Sequence, residues 1–538
     1  MVILGINGGI RMGYQDISAA LVVDGKVVAA IEEERLNRIK HSAGQIPYLA
    51  ITEVLKIANL TINDVDYVAS HGSTWGDAYV NVLKEYFNRC FGFCPKIERV
   101  HHHVAHAAST YYASGFDEAM VLTMDASGDG IALQKAIGKG QELKVVEQVS
   151  RTNSLGIFYA MMTQFCGFVR DTDEYKLMGL APYGDPSKVD LSEVFKVNTN
   201  GYLFDTKFIK ELVPGQPQPT KHQAIFNEKL TNLLGKSRIP NQPITQHYKN
   251  IAAATQLNLK NALVALVTDF HHQTGIRKLC LAGGVALNCA ANQFLMELDF
   301  IDEIYIQPAA GDNGISLGAA YVVAKELGDT IQPMEHAYLG NQFSNDDVKS
   351  ILNLTGVRFT HCENPAQVAA KLVAENKVIG WFQGRMEYGP RALGNRSILA
   401  NPIADNMKSI INAKIKFRES FRPFCPSVLE EDVVEHFTGK QNKSPYMTIN
   451  YKVKDPSKLV SVSHVDDTAR IQTVNNTNNL LYYNYLTELK KEIGVGVSIN
   501  TSFNRNKEPI VNTPIQAISA FYGSGMDALM IGNYLLKK

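Results

Sequence analysis

Apolar positions fall along this chain in short runs broken by turn residues. Val2-Ile3-Leu4-Gly5-Ile6 is the first, Ile17 to Val23 the second and Lys26 to Glu33 the third, the last two joined by Asp24-Gly25. Such runs predict strand, loop, strand, tight turn, strand. The succession starts again at residue 119, where AMVLTMD leads into a glycine turn, IALQKAIG follows, GKGQ turns and LKVVEQV returns. The period then changes. Residues 249 to 274 repeat apolar positions at helical spacing and stop at Gly275, a residue type suited to a helix C-cap. KLCLA (278 to 282) reads as a buried strand entering the turn Gly283-Gly284-Val285-Ala286-Leu287-Asn288, with a helix expected from about Cys289. IDEIYIQP is a further strand, ending in the glycine turn that holds Asp312.

Two meanders, each opening with an apolar strand that ends near a carboxylate, predict an α/β fold whose N-terminal part is a duplicated ribonuclease-H-like domain. Between residues 326 and 347 the periodicity lapses among Pro, Gly and acids, so the domain boundary is placed at 345, giving domains 1–345 and 346–538. After it VKSILNL, AQVAAKLVAENKVIGWFQGR and EIGVGVSIN restart an α/β pattern; 204 to 245 and 474 to 484 read as loops or insertions.

A length of 538 residues requires two or three cores. Fifty-three basic residues balance 53 acidic ones, which removes any global electrostatic attraction to nucleic acid or anionic membrane. No apolar run is long enough for a membrane span and the N-terminus lacks a leader pattern, so a cytoplasmic home is expected. The seven cysteines show no CxxC pair; Cys90 and Cys94 flank aromatics and read as core.

Candidate chemistry begins at HHHVAHA. If Val104 to Ala113 is helical, His102 and His106 share one face, and the strand-end carboxylates Asp125 and Asp312 can meet them. Two imidazoles and two carboxylates suit a borderline divalent ion such as iron, zinc or manganese, with positions open for a substrate oxygen. His101, His103, His271 and His272 read as ordinary structural histidines. The glycine turns SGDG, LAGGVALN (Gly283, Gly284, Asn288) and AAGDNG follow apolar strands, where backbone N–H groups can cradle phosphates; three in one domain favour ATP over a purely structural reading. Lys176 in EYKLMGLAPYG is either a phosphate contact or a solvated lysine. A fourth cluster is dense in arginine: Arg385, Arg391 and Arg396, then Lys416, Arg418 and Arg422, then Arg470. These cations sit among Gly, Pro and Phe instead of among acids, so a pocket for a small dianion is expected, completed by Asn500, Thr501, Ser502 and Asn504.

On these residues the chain resembles the O-carbamoyltransferases of the nodulation-protein and tobramycin, cephamycin and novobiocin carbamoylation type. The matching segments are EEERLNRIKH, HHHVAHA, MDASGDG, EYKLMGLAPYG, LAGGVALNC, QPAAGDNG, MEYGPRALGNRSILANP, FRESFRPFCPSV, ARIQTV and NTSFNRNKEPIV, in the family's order. The resemblance implies an ASKHA, Kae1-like N-terminal domain and a YrdC-like C-terminal domain that makes carbamoyladenylate from carbamoyl phosphate and ATP, with magnesium accompanying the ATP. It also implies carbamoyl phosphate and nucleotide contacts at Arg391, Lys416, Arg422, Arg470, Asn500 and Ser502; Lys40, Lys176 and Arg418 are further candidate contacts. Iron is implied at His102, His106, Asp125 and Asp312, with carbamoyl transfer to a hydroxyl there. Lys416 and Arg422 are the candidate catalytic groups of the first step, and His102, His106 and Asp16 those of the second. Expected partners are carbamoyl phosphate and a hydroxyl-bearing small molecule (natural product, glycan or nucleotide), without membrane or nucleic acid and with a homodimer left open.

One position departs from the pattern. The family has His-Asp before the second strand, whereas here Gln15-Asp16 stands, so no histidine role is expected at that point and Asp16 becomes the candidate base for the acceptor, beside a structural turn-capping reading. Three readings compete with O-carbamoyl transfer: a threonylcarbamoyl-type tRNA-modifying relative, an ASKHA sugar kinase or ATPase, and a non-catalytic metal-binding protein.

Overall fold

The computed structural model describes residues 1–9, 16–210 and 220–538; Gln15 and part of the 204 to 245 segment lie outside these. Five strands of the first sheet, β1 (Val2–Asn7), β2 (Ser18–Val23), β3 (Lys26–Glu32), β4 (Tyr67–His71) and β5 (Lys96–Val100), stand in the order β3-β2-β1-β4-β5. β1, β2 and β3 pair antiparallel, while β4 joins β1 and β5 joins β4 in parallel. The second sheet repeats the plan. There β6 (Glu118–Gly128), β7 (Ile131–Lys139) and β8 (Glu142–Ser150) form the antiparallel meander, and Lys278–Ala282 lies parallel to β6 on its other side, with Glu303–Ile306 at the edge. Each half therefore puts its first apolar strand at the sheet centre, the arrangement expected of a duplicated ribonuclease-H-like fold.

Contacts divide the chain into two compact units. One comprises Met1–Gly115 with Ile306–Lys538, and the other is Phe116–Tyr305; the boundary expected at 345 falls inside the first. In that unit the helix Ile315–Glu326 packs on β1, β2, β4 and the helix His102–Ser114. Its approach depends on missing side chains: a Cβ on Gly5 would lie 1.8 Å from the Ser316 carbonyl oxygen, and one on Gly318 would lie 1.7 Å from that of Ala105.

The C-terminal part of the same unit carries an eight-stranded sheet in the order Thr360–His361, Tyr534–Lys537, Ala528–Ile531, Ile379–Phe382, Arg396–Ala400, Val497–Ser502, Cys425–Leu429, Gln472–Val474. Trp381, Tyr482, Tyr485, Leu486 and Leu489 pack in one core cluster against it. Those residues correct one expectation. Leu480–Ile493 is a helix, so 480 to 484 is not loop; Asn479 caps it by accepting from the Tyr482 N–H, and its buried face was hidden by the run of asparagines before it. The long helix Gln246–Thr274 with Gly275 at φ +69° and the helix from Cys289 stand as expected. All seven cysteines are free, and Cys90 is exposed, so it does not belong to the core. Among the described residues no helix is long and apolar enough to cross a membrane.

Candidate metal centre and cation pocket

The helix His102–Ser114 starts at the second histidine of the run, with His101 as its N-cap, and this sets His102 and His106 one turn apart on a face that is 3% and 0% exposed. Their ring centroids are 4.8 Å apart. Asp312 opens the tight turn ahead of the helix Ile315–Glu326, and the close crossing at Gly318 and Ala105 brings that turn to the imidazoles. The Asp312 Oδ1 lies 3.8 Å from His102 Nε2 and 3.6 Å from His106 Nε2. These separations are too long for hydrogen bonds but suit an ion between the donors, whose ligand atoms all fall within 4.8 Å of one another. Two buried imidazoles and a carboxylate fit a divalent transition metal.

Asp125 stands in the second unit, on β6 where the pairing with β7 shifts register between Met124 and Gly128. Its Oδ1 accepts from the Ala126 N–H at 2.7 Å, and Ser154 Oγ donates to the Asp125 and Ala126 carbonyls. The turn at Gly283 and Gly284 backs this strand end. Gly283 has φ +89° and a Cβ there would lie 2.1 Å from the Met124 carbonyl oxygen, while one on Gly284 would lie 3.2 Å from Asp125 Oδ1. Asn288 caps the helix Cys289–Met296 and exchanges amide hydrogen bonds with Gln256. Lys176 pairs with Asp173 at 3.1 Å. Each of these residues has a visible local task.

The cation pocket is assembled from distant segments of the first unit. Lys416 ends a π-helical turn, Asn412–Lys416, and is 5% exposed. Its ammonium donates to the Ser502 carbonyl and to the carbonyl and Oδ1 of Asn504 at 2.5, 3.2 and 2.8 Å. Burial, reinforced by Arg418 and Arg422, pushes its pKa well below the ordinary lysine value. Arg418 stacks on Phe424 and donates to Asn412 Oδ1, and Arg422 meets Glu419 at 3.5 Å. Strand pairing sets Cys425 opposite Asn500, and Arg470 donates to the Cys425 Sγ at 3.2 and 2.9 Å. The Asn500 amide is turned inward to Ser427 Oγ and Gln472 Oε1. Two arginines beside one depressed lysine make a field that favours a dianion. Arg391, half-buried, precedes the buried strand Arg396–Ala400.

Two of the arginines expected in this pocket serve elsewhere. Arg385 donates to the carbonyls of Val28, Leu339 and Gly340. Arg396 is fully buried, stacks on Phe382 at 3.8 Å and donates to the carbonyls of Gln383, Gly384, Asn395 and Asn341. Their surroundings of Gly and Asn supply carbonyls, which from sequence look like a ligand pocket.

EEERLNRIKH forms a hub. Arg35 donates to the Gly389 carbonyl and Arg38 to those of Pro509 and Ile510, so the segment ties the first sheet to the C-terminal part. Burial alone would raise the Glu34 pKa, but Arg35 and Lys40, with the His41 N–H, hold it at about 2. Lys40 lies 3.1 Å from Glu34 and is half-exposed. Asp16 meets an imidazole after all: His41 Nδ1 is 2.7 Å from its Oδ1. That histidine closes the EEERLNRIKH segment and was passed over because it stands 25 positions from its partner.

Residues 75–321 match the family profile described as carbamoyltransferase N-terminus, and residues 370–538 match the one described as carbamoyltransferase C-terminus. The nodulation protein NolNO of Sinorhizobium fredii is 36% identical over 586 aligned residues, covering 100% of this chain and 83% of that protein. The chain belongs to the carbamoyltransferase family. This carbamoyltransferase is also 37% identical to the nodulation protein NolO of Bradyrhizobium diazoefficiens, over 82% of its own length and 79% of the relative's. It is 31% identical to the 3'-hydroxymethylcephem-O-carbamoyltransferase of Amycolatopsis lactamdurans, over 47% of the chain and 48% of that enzyme. His102, His106, Asp125 and Asp312 fall in the N-terminal profile, and Arg391, Lys416, Arg418, Arg422, Arg470, Asn500 and Ser502 in the C-terminal one.

Proposed function

We propose that this carbamoyltransferase is ATP-dependent and works in two steps: in the C-terminal domain (346–538) water cleaves carbamoyl phosphate to carbamate and phosphate, and the carbamate oxygen attacks the α-phosphorus of ATP to give carbamoyladenylate and pyrophosphate; the carbamoyl group then passes to a hydroxyl in the N-terminal domain (1–345), releasing AMP. The observation that carries the first step is Lys416, a buried ammonium with Arg418 and Arg422 beside it and Ser502 and Asn504 orienting it. Such a cluster binds phosphate and phosphoanhydride oxygens, and it can stabilise the charge that moves onto pyrophosphate as the adenylate forms. Arg391, Arg470, Asn500 and Ser502 are the further proposed contacts for the nucleotide and carbamoyl phosphate, with Lys40, Lys176, Gly283, Gly284 and Asn288 as outlying ones; magnesium would accompany ATP. Adenylation suits the chemistry. A carbamate carbonyl is a poor electrophile, and AMP is a leaving group an alcohol can displace.

For the second step His102, His106 and Asp312, with Asp125 as the proposed fourth ligand, would hold a divalent ion, iron on the family resemblance. Bound there it would supply Lewis-acid polarisation of a carbonyl or phosphoryl oxygen. The chain's own contribution is two buried imidazoles and two partly buried carboxylates held ready as donors. One relative is named for a hydroxymethyl cephem and others for nodulation, so the acceptor is proposed to be a hydroxyl on a small natural product, glycan or nucleotide, in the cytoplasm where carbamoyl phosphate and ATP are made. The deciding assay is pyrophosphate release from ATP: it should require carbamoyl phosphate, and its absence in that mixture would overturn the reading. A mass increment of one carbamoyl group across a panel of aminoglycoside, β-lactam, oligosaccharide and hydroxymethylated nucleotide acceptors would then identify the substrate.

A further inference from the structure

We propose that His41, held by Asp16, is the base that takes the proton of the acceptor hydroxyl during carbamoyl transfer; this rests on the two-step reading above. Four observations in one unit converge on the pair. His41 Nδ1 sits 2.7 Å from Asp16 Oδ1, and the backbones are tied as well, the Asp16 N–H donating to the His41 carbonyl at 3.1 Å. Neighbouring side chains pin both: Glu34 Oε2 accepts from the His41 N–H at 2.7 Å, and Asn7 Nδ2 donates to the Asp16 carbonyl at 3.1 Å.

The backbone is left-handed at both members, with φ +64° at His41 and +56° at Asp16, a conformation that non-glycine residues adopt at a cost. Among the described residues the other imidazole nitrogen, Nε2, is buried and has no hydrogen-bond partner. A histidine that served only to brace the turn would need one nitrogen. Leaving the other buried and unmatched costs free energy, and the most direct use for it is a ligand's hydroxyl.

The location agrees. Two residues after Asp16, Ser18 Oγ donates to the carbonyl of Asn313, the neighbour of Asp312, so the pair borders the turn that carries a metal-type ligand. The carboxylate fixes the tautomer with hydrogen on Nδ1 and a lone pair on Nε2, and it stabilises the imidazolium when the proton arrives. In the step itself the acceptor oxygen bonds to the carbamoyl carbon and the bond from that carbon to the AMP phosphate oxygen breaks. Its electron pair leaves with AMP, and the hydroxyl proton moves to Nε2 and later to solvent. The products are a carbamate ester, AMP and one proton.

The test uses the full-length enzyme with carbamoyl phosphate and ATP and two nucleophiles. Hydroxylamine captures an activated carbamoyl group without a base, giving hydroxyurea, whereas glycerol needs its proton removed. His41→Ala should form hydroxyurea within a few-fold of wild type and lose glycerol carbamate by about 10² to 10⁴-fold, with partial recovery on adding imidazole. Undiminished glycerol transfer would overturn the proposal, and no hydroxyurea from wild type would instead sink the adenylate reading. His41→Gln replaces the alanine variant if that does not fold. Nitrogen-15 NMR of the wild-type imidazole needs no acceptor at all: hydrogen on Nδ1 supports the base, and hydrogen on Nε2 refutes it even where glycerol is not a substrate.

Discussion

The His/Asp group and the lysine pocket are built in opposite ways. The first takes two of its members from a single helix turn and a third from a helix crossing at Gly318, so three side chains meet through local geometry and one close packing contact. The second collects Lys416 and Arg422 from one segment, Arg470 from a three-stranded sheet and Ser502 from the eight-stranded one, over more than eighty positions. A site made of neighbours is fixed by its helix; a site made of strangers is fixed by its sheets. That contrast suits the proposed division of labour, because an ion needs a few rigid donors whereas a large anion needs many.

The largest test of the contrast is a double dissociation. Arg422→Ala should lower carbamoyl-phosphate-dependent pyrophosphate release by about 10³-fold, the scale of losing one charged transition-state contact. His106→Ala should leave that release within a few-fold, abolish transfer to the alcohol and reduce bound metal measured by elemental analysis. If both variants lose only pyrophosphate release, the two regions share one job. Next comes the hub between them. Glu34 is held at about 2 against an ordinary carboxylate value near 4.5, so its pairing stabilises the fold by about 3 kcal/mol at neutral pH. The folded value is the lower one, so this stability is present above about pH 4.5 and fades as pH falls through 2. Glu34→Gln should therefore lower the denaturation midpoint at pH 7 and converge on wild type in acid.

Arg396→Met should cost about 2 to 3 kcal/mol by stranding buried carbonyls, seen as a lower Tm, with the KM for carbamoyl phosphate unchanged. Arg391→Ala should do the reverse. Gly318→Ala, whose Cβ would lie 1.7 Å from the Ala105 carbonyl oxygen, fits only if the two helices move apart and should cost more than about 3 kcal/mol. It should also weaken metal binding, measured by titration, while sparing pyrophosphate release.

These regions also differ in how far they could be read before the structure. The imidazoles of His102 and His106 were legible because a spacing of four has one meaning on a helix. The repeated meander was legible because a strand, a tight turn and a strand leave a period of two in the text. Arg385 and Arg396 misled because backbone carbonyls have no letter, so a guanidinium satisfied by them looks the same as one awaiting an anion. His41 escaped notice for a related reason: its partner lies 25 residues away and the meeting depends on left-handed backbone at both ends, which no propensity announces. The helix from Leu480 was missed because its cap is an asparagine at the end of an asparagine-rich run.

The chain leaves its first compact unit at Gly115 and comes back at Ile306. On a ribosome adding 5 to 20 residues per second, the intervening stretch of roughly 190 residues takes on the order of 10 to 40 seconds to emerge. Throughout that time β1, β2 and β4 lack the helix that covers them, and His102 and His106 lack Asp312. The nascent protein thus passes through a long interval with an open apolar sheet and two imidazoles ready to bind whatever ion is at hand. Its expression should respond to holdase chaperones and to slowed translation more strongly than its finished stability would suggest, and premature metal capture becomes a hazard of synthesis.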